Sequence, residues 1–184
     1  MHKVFCIIGR TASGKSTIVN AVAKAMKLKV LKSYTTRARR KNEVGNNCDH
    51  TFISADDVSK YVDDMVAYTE RAGYCSFATE SQLMESDLYI INPSGYSDLI
   101  NTTRDIPNLQ LFDIWIDCDT DQLQLRSKKR STAANWQANY IKEEEEFNKI
   151  YSNIDPKHSY HVDNNGDILD AIIQVENIIL YNSI

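Results

Sequence analysis

Gly9 to Thr17 read GRTASGKST, directly after the apolar run Val4-Phe5-Cys6-Ile7-Ile8. The segment matches G-x-x-x-x-G-K-[ST], whose chemistry is the cradling of a triphosphate. Gly9 and Gly14 allow the tight turn that faces successive N–H groups, through Arg10, Thr11, Ala12 and Ser13, towards anionic oxygens. A helix opening near Lys15 adds its positive N-terminal end. Lys15 reaches the β- and γ-phosphates, the Ser16 hydroxyl ligates Mg²⁺, and Thr17 supports the turn. This predicts a nucleoside triphosphate site that uses Mg²⁺. It leaves open whether the phosphoryl group is transferred, hydrolysed as a switch, or only held.

A second cationic group follows in KSYTTRARRKNE, where Lys32, Arg37, Arg39, Arg40 and Lys41 precede the first acid, Glu43. Such a stretch reads either as a solvated loop or as a nucleic-acid patch. Hydroxyls at Ser33, Tyr34, Thr35 and Thr36 favour a third reading. Guanidiniums interleaved with hydroxyls suit a discrete phosphate, which arginine grips through two parallel hydrogen bonds. Two phosphate sites close together in sequence suggest an acceptor that is itself a phosphate ester.

The segment SYTTRARRKNEVGNNCDHTFIS resembles the S-x-T-T-R-x-x-R-x-G-E-V…D-Y-x-F signature of the guanylate kinases, which are P-loop nucleoside monophosphate kinases. The resemblance implies that Arg37 and Arg40 hold the acceptor's phosphate and that Ser33 contacts the guanine base. His50 stands where that family has a phosphate-binding tyrosine. YTERAGYCSFAT is similar to the family's A-E-x-x-G-x-Y-Y-G-T, which implies that Glu70 accepts hydrogen bonds from the guanine N–H and amino groups. Thr79 is retained there, while Phe77 and Ala78 replace tyrosine and glycine, and Tyr74 offers an alternative hydroxyl. YIINPSGY puts Asn92 in place of the acid that ends a strand near the base and the metal.

LRSKKRST resembles the lid motif R-L-x-x-R-G-T, which implies that Arg126 and Arg130 close over the phosphates. On a helix the two share a face by i, i+4 spacing. The family's further lid arginine is missing from NWQANYIKEEEEF, where Lys142 is the cation. The acid run Glu143 to Glu146 reads as a solvated helix face, and Lys128 and Lys129 likewise. His158 and His161 lack metal-site spacing and read as packing or surface residues.

These groups need a scaffold. Residues 3–8 read as a buried strand and the segment to about Met26 as a helix, with Ile18, Val19, Val22 and Met26 at helical spacing. Val30-Leu31 suggests a short second strand. Strands are expected at DHTFIS, within VAYTERAGYCSFAT, at DLYIIN, at LQLFDIWID and at HSYHVDNN. Helices are expected at ADDVSKYVDDM, about 119–130, about 134–151 and 168–180. Strands alternating with helices imply an α/β fold with a central parallel sheet. The resemblance implies a P-loop kinase fold in one domain. Its core is 1–33 and 83–184, its inserted monophosphate-binding unit about 34–82, and its helical lid about 126–142.

The whole chain is consistent with this. Its 184 residues bury a sizeable core, and 42% hydrophobic with 25% charged residues is ordinary for a globular protein. A net charge of −4 argues against a nucleic-acid binder. Cys6, Cys48, Cys75 and Cys118 form no C-x-x-C pair and read as reduced thiols. No leader precedes the first strand and no run matches a membrane span, so a cytoplasmic protein is expected. The reading is transfer from ATP to GMP or dGMP, with room for a homodimer. Alternatives are a ribose bisphosphate phosphokinase, a viral-type deoxynucleotide kinase, and an inert guanylate-kinase-like interaction module. A GTPase switch would need N-K-x-D, which the chain lacks.

Overall fold

In the computed structural model, residues 1–40, 43, 48–129, 136–150 (Asn139 by its backbone only) and 154–183 are described. The first sheet takes β1 (His2–Gly9), β6 (Leu88–Ile90), β7 (Leu109–Asp117) and β8 (Ser159–Asp163) in the order β6-β1-β7-β8. All its pairs are parallel, and β1 matches β7 from His2↔Leu109 to Gly9↔Ile116.

A strand buried on both faces must be apolar throughout, and β1 divides its side chains between two cores. Val4, Cys6 and Ile8 face one core with Trp115, Tyr96, Leu99, Phe147 and Ile150. Phe5 and Ile7 face the other with Ile18, Val22, Ile114, Val175 and Ile179. Helices α1 (Lys15–Met26) and α6 (Ile168–Ser183) therefore cover one side, and α3 (Pro93–Thr102) with α5 (Trp136–Ile150) covers the other. One carboxylate lies inside this packing. Asp113 is 2% exposed and accepts hydrogen bonds from Tyr96 Oη at 2.8 Å and from Trp115 Nε1, which fastens α3 to β7.

The second sheet has the order β3-β2-β5-β4, from β2 (Ser33–Thr35), β3 (His50–Phe52), β4 (Met65–Arg71) and β5 (Tyr74–Thr79). Tyr34, Tyr61 and Phe77 cluster on it, with ring centroids 4.4–5.7 Å apart. Val66, Ala67 and Ala78 join the α3–α5 core, so the two sheets share packing. Within the β4–β5 ladder, Val66 opposes Ala78 but the next pair is Thr69↔Ser76. Three steps on β4 thus answer two on β5. The extra residue is a bulge, with Ala67 in the left-handed region at φ 57°.

Two expectations change and two helices are added. Val30 makes only an isolated parallel bridge to Leu88, because the chain turns away before a ladder forms. The segment Ala55–Asp64 is a 3₁₀ helix. Two further helices, α2 (Glu80–Met84) and α3, occupy segments to which the sequence pattern assigned no element. Among the helices downstream, α4 (Thr120–Lys129) and α5 lie where expected.

Candidate functional site

The carboxyl ends of β1, β6, β7 and β8 open onto one edge of the first sheet. Strand order reverses there about β1, the usual place for a ligand in such folds. The loop from Gly9 to Gly14 leaves β1 at this edge. A Cβ on Gly9 would stand 2.8 Å from Ser13 Oγ and 2.9 Å from the Ile116 carbonyl oxygen. Gly14 has φ 100°, and a Cβ there would stand 2.5 Å from Asn164 Nδ2. Both positions therefore require glycine. Gly14 also caps α1 with no side-chain hydrogen bond, so the helix start presents bare N–H groups.

Side chains brace this loop from behind. Asn164 Nδ2 donates to the Ser13 carbonyl at 2.6 Å, and Arg126 Nη2 donates to the Asn164 carbonyl at 2.9 Å. Ser13 Oγ is fully buried with no hydrogen-bond partner among the described residues, an orphaned polar atom inside the turn. Lys15 Nζ lies across the loop and donates to the carbonyls of Gly9 (2.6 Å) and Arg10 (2.8 Å). Ser16 Oγ donates to Asp49 Oδ2 at 2.7 Å. Ala12 is buried with φ 71°, while Thr11 and Thr17 are exposed at the loop's rim.

On the other side of this edge lies a cavity of about 200 Å³. Ser33, Arg37, Arg40, His50 and Asn92 line it, so five sequence-predicted acceptor residues converge. Ser33 Oγ and His50 Nδ1 are hydrogen-bonded at 2.8 Å. Burial holds His50 below its ordinary pKa, with Arg37 adding to the effect. Arg37 grips Glu43 through Nη1 at 3.0 Å and Nη2 at 2.8 Å. Those bonds lower the Glu43 carboxyl to about 2, helped by the Arg40 backbone N–H at 2.8 Å. Tyr74 lines the cavity as well, while Phe77 is buried among aromatic rings.

A second cavity of about 280 Å³ adjoins the phosphate loop, lined by Lys15, Thr11, Gly9 and Glu143. It shares Arg40, Asp49, His50, Arg71 and Asn92 with the first cavity. One continuous cleft therefore runs from the phosphate loop to the second sheet.

Several expected residues lie elsewhere. Glu70 is exposed on the far face of β4, with a 3.5 Å contact from Tyr68 Oη, whereas Thr69 and Arg71 line the cavity. The bulge explains this, because one extra residue reverses which side chains face inwards. Thr79 is buried at the start of α2, where its Oγ1 accepts from Gln82 N at 3.2 Å. It is a helix cap and lines neither cavity. Asn92 does border the cleft, but its Oδ1 caps α3 by accepting from Gly95 N at 2.7 Å. Arg126 sits behind the loop and lines neither cavity. Arg130 and the lid residues 130–135 lie outside the described residues.

The acid run is a solvated face only in part: Glu145 is exposed, but Glu143 and Glu144 are engaged. Glu143 is 9% exposed and accepts from both Thr11 N (3.0 Å) and Thr11 Oγ1. Glu144 pairs with Arg10, whose guanidinium also lies over the rings of Tyr140 (4.6 Å) and Phe147 (4.7 Å). Helix α5 thus clasps the phosphate loop through two adjacent acids. Sequence reasoning also passed over Asp49, Arg71 and Asn164. Asp49 stood inside the basic segment's signature, next to His50, which was a usable signal.

Among the described residues, no group of three or more His, Cys, Asp or Glu forms a ready-made metal cage. The Ser16–Asp49 pair nevertheless offers two hard oxygens side by side. Mg²⁺ usually takes only one or two protein oxygens and completes its shell with water and phosphate. The donor set therefore fits that ion. Among the described helices, none is long and apolar enough to cross a membrane.

No family model matches the sequence, and no curated protein matches it. In three dimensions the chain is similar to a guanylate kinase from Anaplasma phagocytophilum, with a TM-score of 0.67 over 98% of this chain and 86% of that one. Sequence identity is 18%, so the likeness is one of fold. The chain has an α/β fold of the P-loop kinase type, with a four-stranded parallel sheet between helices, similar to that of guanylate kinase.

Proposed function

We propose that this chain is a phosphotransferase that moves the γ-phosphoryl group of ATP onto a nucleoside monophosphate, GMP or dGMP in the first instance. One observation carries the reading: the glycine-turned phosphate loop and the arginine-lined cavity share one cleft. A triphosphate in the loop and a phosphate ester beside Arg37 and Arg40 would bring donor and acceptor together. Catalysis is then mostly positioning and charge neutralisation. Lys15 would exchange its loop carbonyls for phosphate oxygens. Arg40 and Arg37 would align the acceptor phosphate, with Glu43 fixing the Arg37 fork. Ser16 and Asp49 would hold Mg²⁺, which offsets triphosphate charge when bound.

A second reading, an acceptor without guanine such as a ribose bisphosphate, is favoured by the exposed position of Glu70 on the far face of β4. The test is ADP release measured with GMP, dGMP, AMP, dTMP, dUMP and ribose bisphosphate. Turnover with GMP or dGMP alone supports the first reading. Turnover only with ribose bisphosphate supports the second. Silence with every acceptor from folded protein overturns both and favours an inert binding module.

A further inference from the structure

Arg71 is the last residue of β4, opposite Tyr74 across the hairpin, and the bulge puts it on the cavity side with Thr69. It borders both cavities, sharing the donor-side one with Lys15 and the acceptor-side one with Arg37. Most other guanidiniums near the site are engaged. Arg10 is paired with Glu144, Arg37 with Glu43, and Arg39 lies over Phe52 at 4.5 Å. Arg71 makes no hydrogen bond or ion pair among the described residues, and the Arg40 side chain is in the same condition. Carboxylates of Glu43, Asp49, Glu143 and Glu146 line the same cavities without pairing with Arg71. A half-buried guanidinium whose five donors have no ion-pair partner among the described residues can receive an anion. Its place at the junction of the cavities says which anion. The phosphates of donor and acceptor must meet there.

We propose that Arg71 grips the phosphates at the transfer point and, with Arg40, supplies the mobile positive charge that Arg37 and Arg10 do not. This rests on the kinase reading above. In the step, an oxygen of the acceptor phosphate dianion forms a bond to Pγ. The bond from Pγ to the β–γ bridging oxygen breaks, and ADP leaves with that electron pair. Arg71 gives no proton. It neutralises charge on the equatorial oxygens, where a fixed donor is worth most. It also offers an explanation for how the site works without a further lid arginine after Arg130.

The test compares wild type with R71A and R71K in ADP release with GMP, and in calorimetric titration with inorganic pyrophosphate. R71A is expected to lower kcat/KM by about 10²–10³, the scale of one lost transition-state donor, mainly through kcat. Pyrophosphate affinity should fall about tenfold, as for loss of a charge-assisted grip. R71K should recover part of both, because it keeps the charge and loses the fork. Melting temperature should hold, since no described residue depends on this side chain. R71A that binds pyrophosphate as wild type does overturns the inference, whether or not transfer is seen. Wild type that transfers to no acceptor overturns the kinase reading instead, and the pyrophosphate comparison still decides Arg71.

Discussion

The Arg37–Glu43 fork should reveal itself as a pH-dependent part of the protein's stability, removable by Glu43→Gln. The Arg37 hydrogen bonds hold the Glu43 carboxyl at about 2, against an ordinary 4.5. In the unfolded chain the group returns to its ordinary value, so between those limits the unfolded state binds the extra proton. The contribution is therefore complete above pH about 4.5 and disappears as pH falls towards about 2. At about 1.4 kcal/mol per tenfold change, the ceiling is roughly 3 kcal/mol. The two side chains are 13% and 15% exposed, near solvent, so screening should reduce this to about 1–2 kcal/mol. Urea unfolding of wild type and E43Q near pH 6.5 and near pH 2.5 measures it. The gap should be about 1–2 kcal/mol at the higher pH and close to zero at the lower. His50 also destabilises the fold on acidification, because it is buried in its neutral form. It is present in both proteins, and Glu43 acts on it less than burial and Arg37 do, so most of its contribution cancels. A gap that stays constant with pH would refute the reasoning, since packing loss does not titrate.

Three other substitutions probe different parts of the structure. Glu143→Ala strips Thr11 N–H and Oγ1 of their acceptor and should cost about 2–4 kcal/mol. That is a fall of roughly 5–12 °C in Tm by calorimetry, while removal of the negative charge lowers the KM for ATP. An unchanged Tm would mean that α5 does not clasp the loop. Tyr96→Phe leaves Asp113 Oδ1 without its phenol donor in the core, at a cost of about 1.5–3 kcal/mol in urea unfolding; a neutral result would show that Trp115 alone satisfies that carboxylate. Asp49→Asn should weaken Mn²⁺ binding in the presence of ATP about tenfold, read from Mn²⁺ paramagnetic resonance, and equal affinity would remove Asp49 from the metal site.

The glycine turn from Gly9 to Gly14 was legible because its requirements are local. Tight turns, bare N–H groups and a reaching lysine need only residue types at fixed spacing, and Gly9 and Gly14 stand where a Cβ would collide. The burial of β1 was legible for the same reason, from its unbroken apolar run. What escaped were features decided by partners distant in sequence. Asn92 followed by proline is a strong helix start, yet the motif comparison drew attention to its missing charge and away from its capping geometry. The acids of α5 have no sequence pattern that distinguishes a surface run from one that meets Thr11 and Arg10, which lie more than 130 positions earlier.

Glu70 and Arg71 show how far one residue of register can alter a functional reading. Val66↔Ala78 and Thr69↔Ser76 are fixed pairs, and a regular ladder between them would put Tyr68, not Thr69, opposite Ser76. Continuing that regular ladder would bring Glu70 opposite Tyr74, on the cavity face. The residue actually opposite Tyr74 is Arg71. Because side chains alternate strictly, the bulge exchanges an acid for a guanidinium in the wall of the cleft. Exchanging the two residues, E70R/R71E, tests this directly, since it leaves the ladder as it is and puts the carboxylate opposite Tyr74. On the kinase reading, guanine selectivity over adenine should then rise, and pyrophosphate affinity should fall as the guanidinium leaves the cleft. Selectivity and pyrophosphate affinity both equal to wild type, in a variant with native melting, would show that the residue opposite Tyr74 does not control what the cleft recognises.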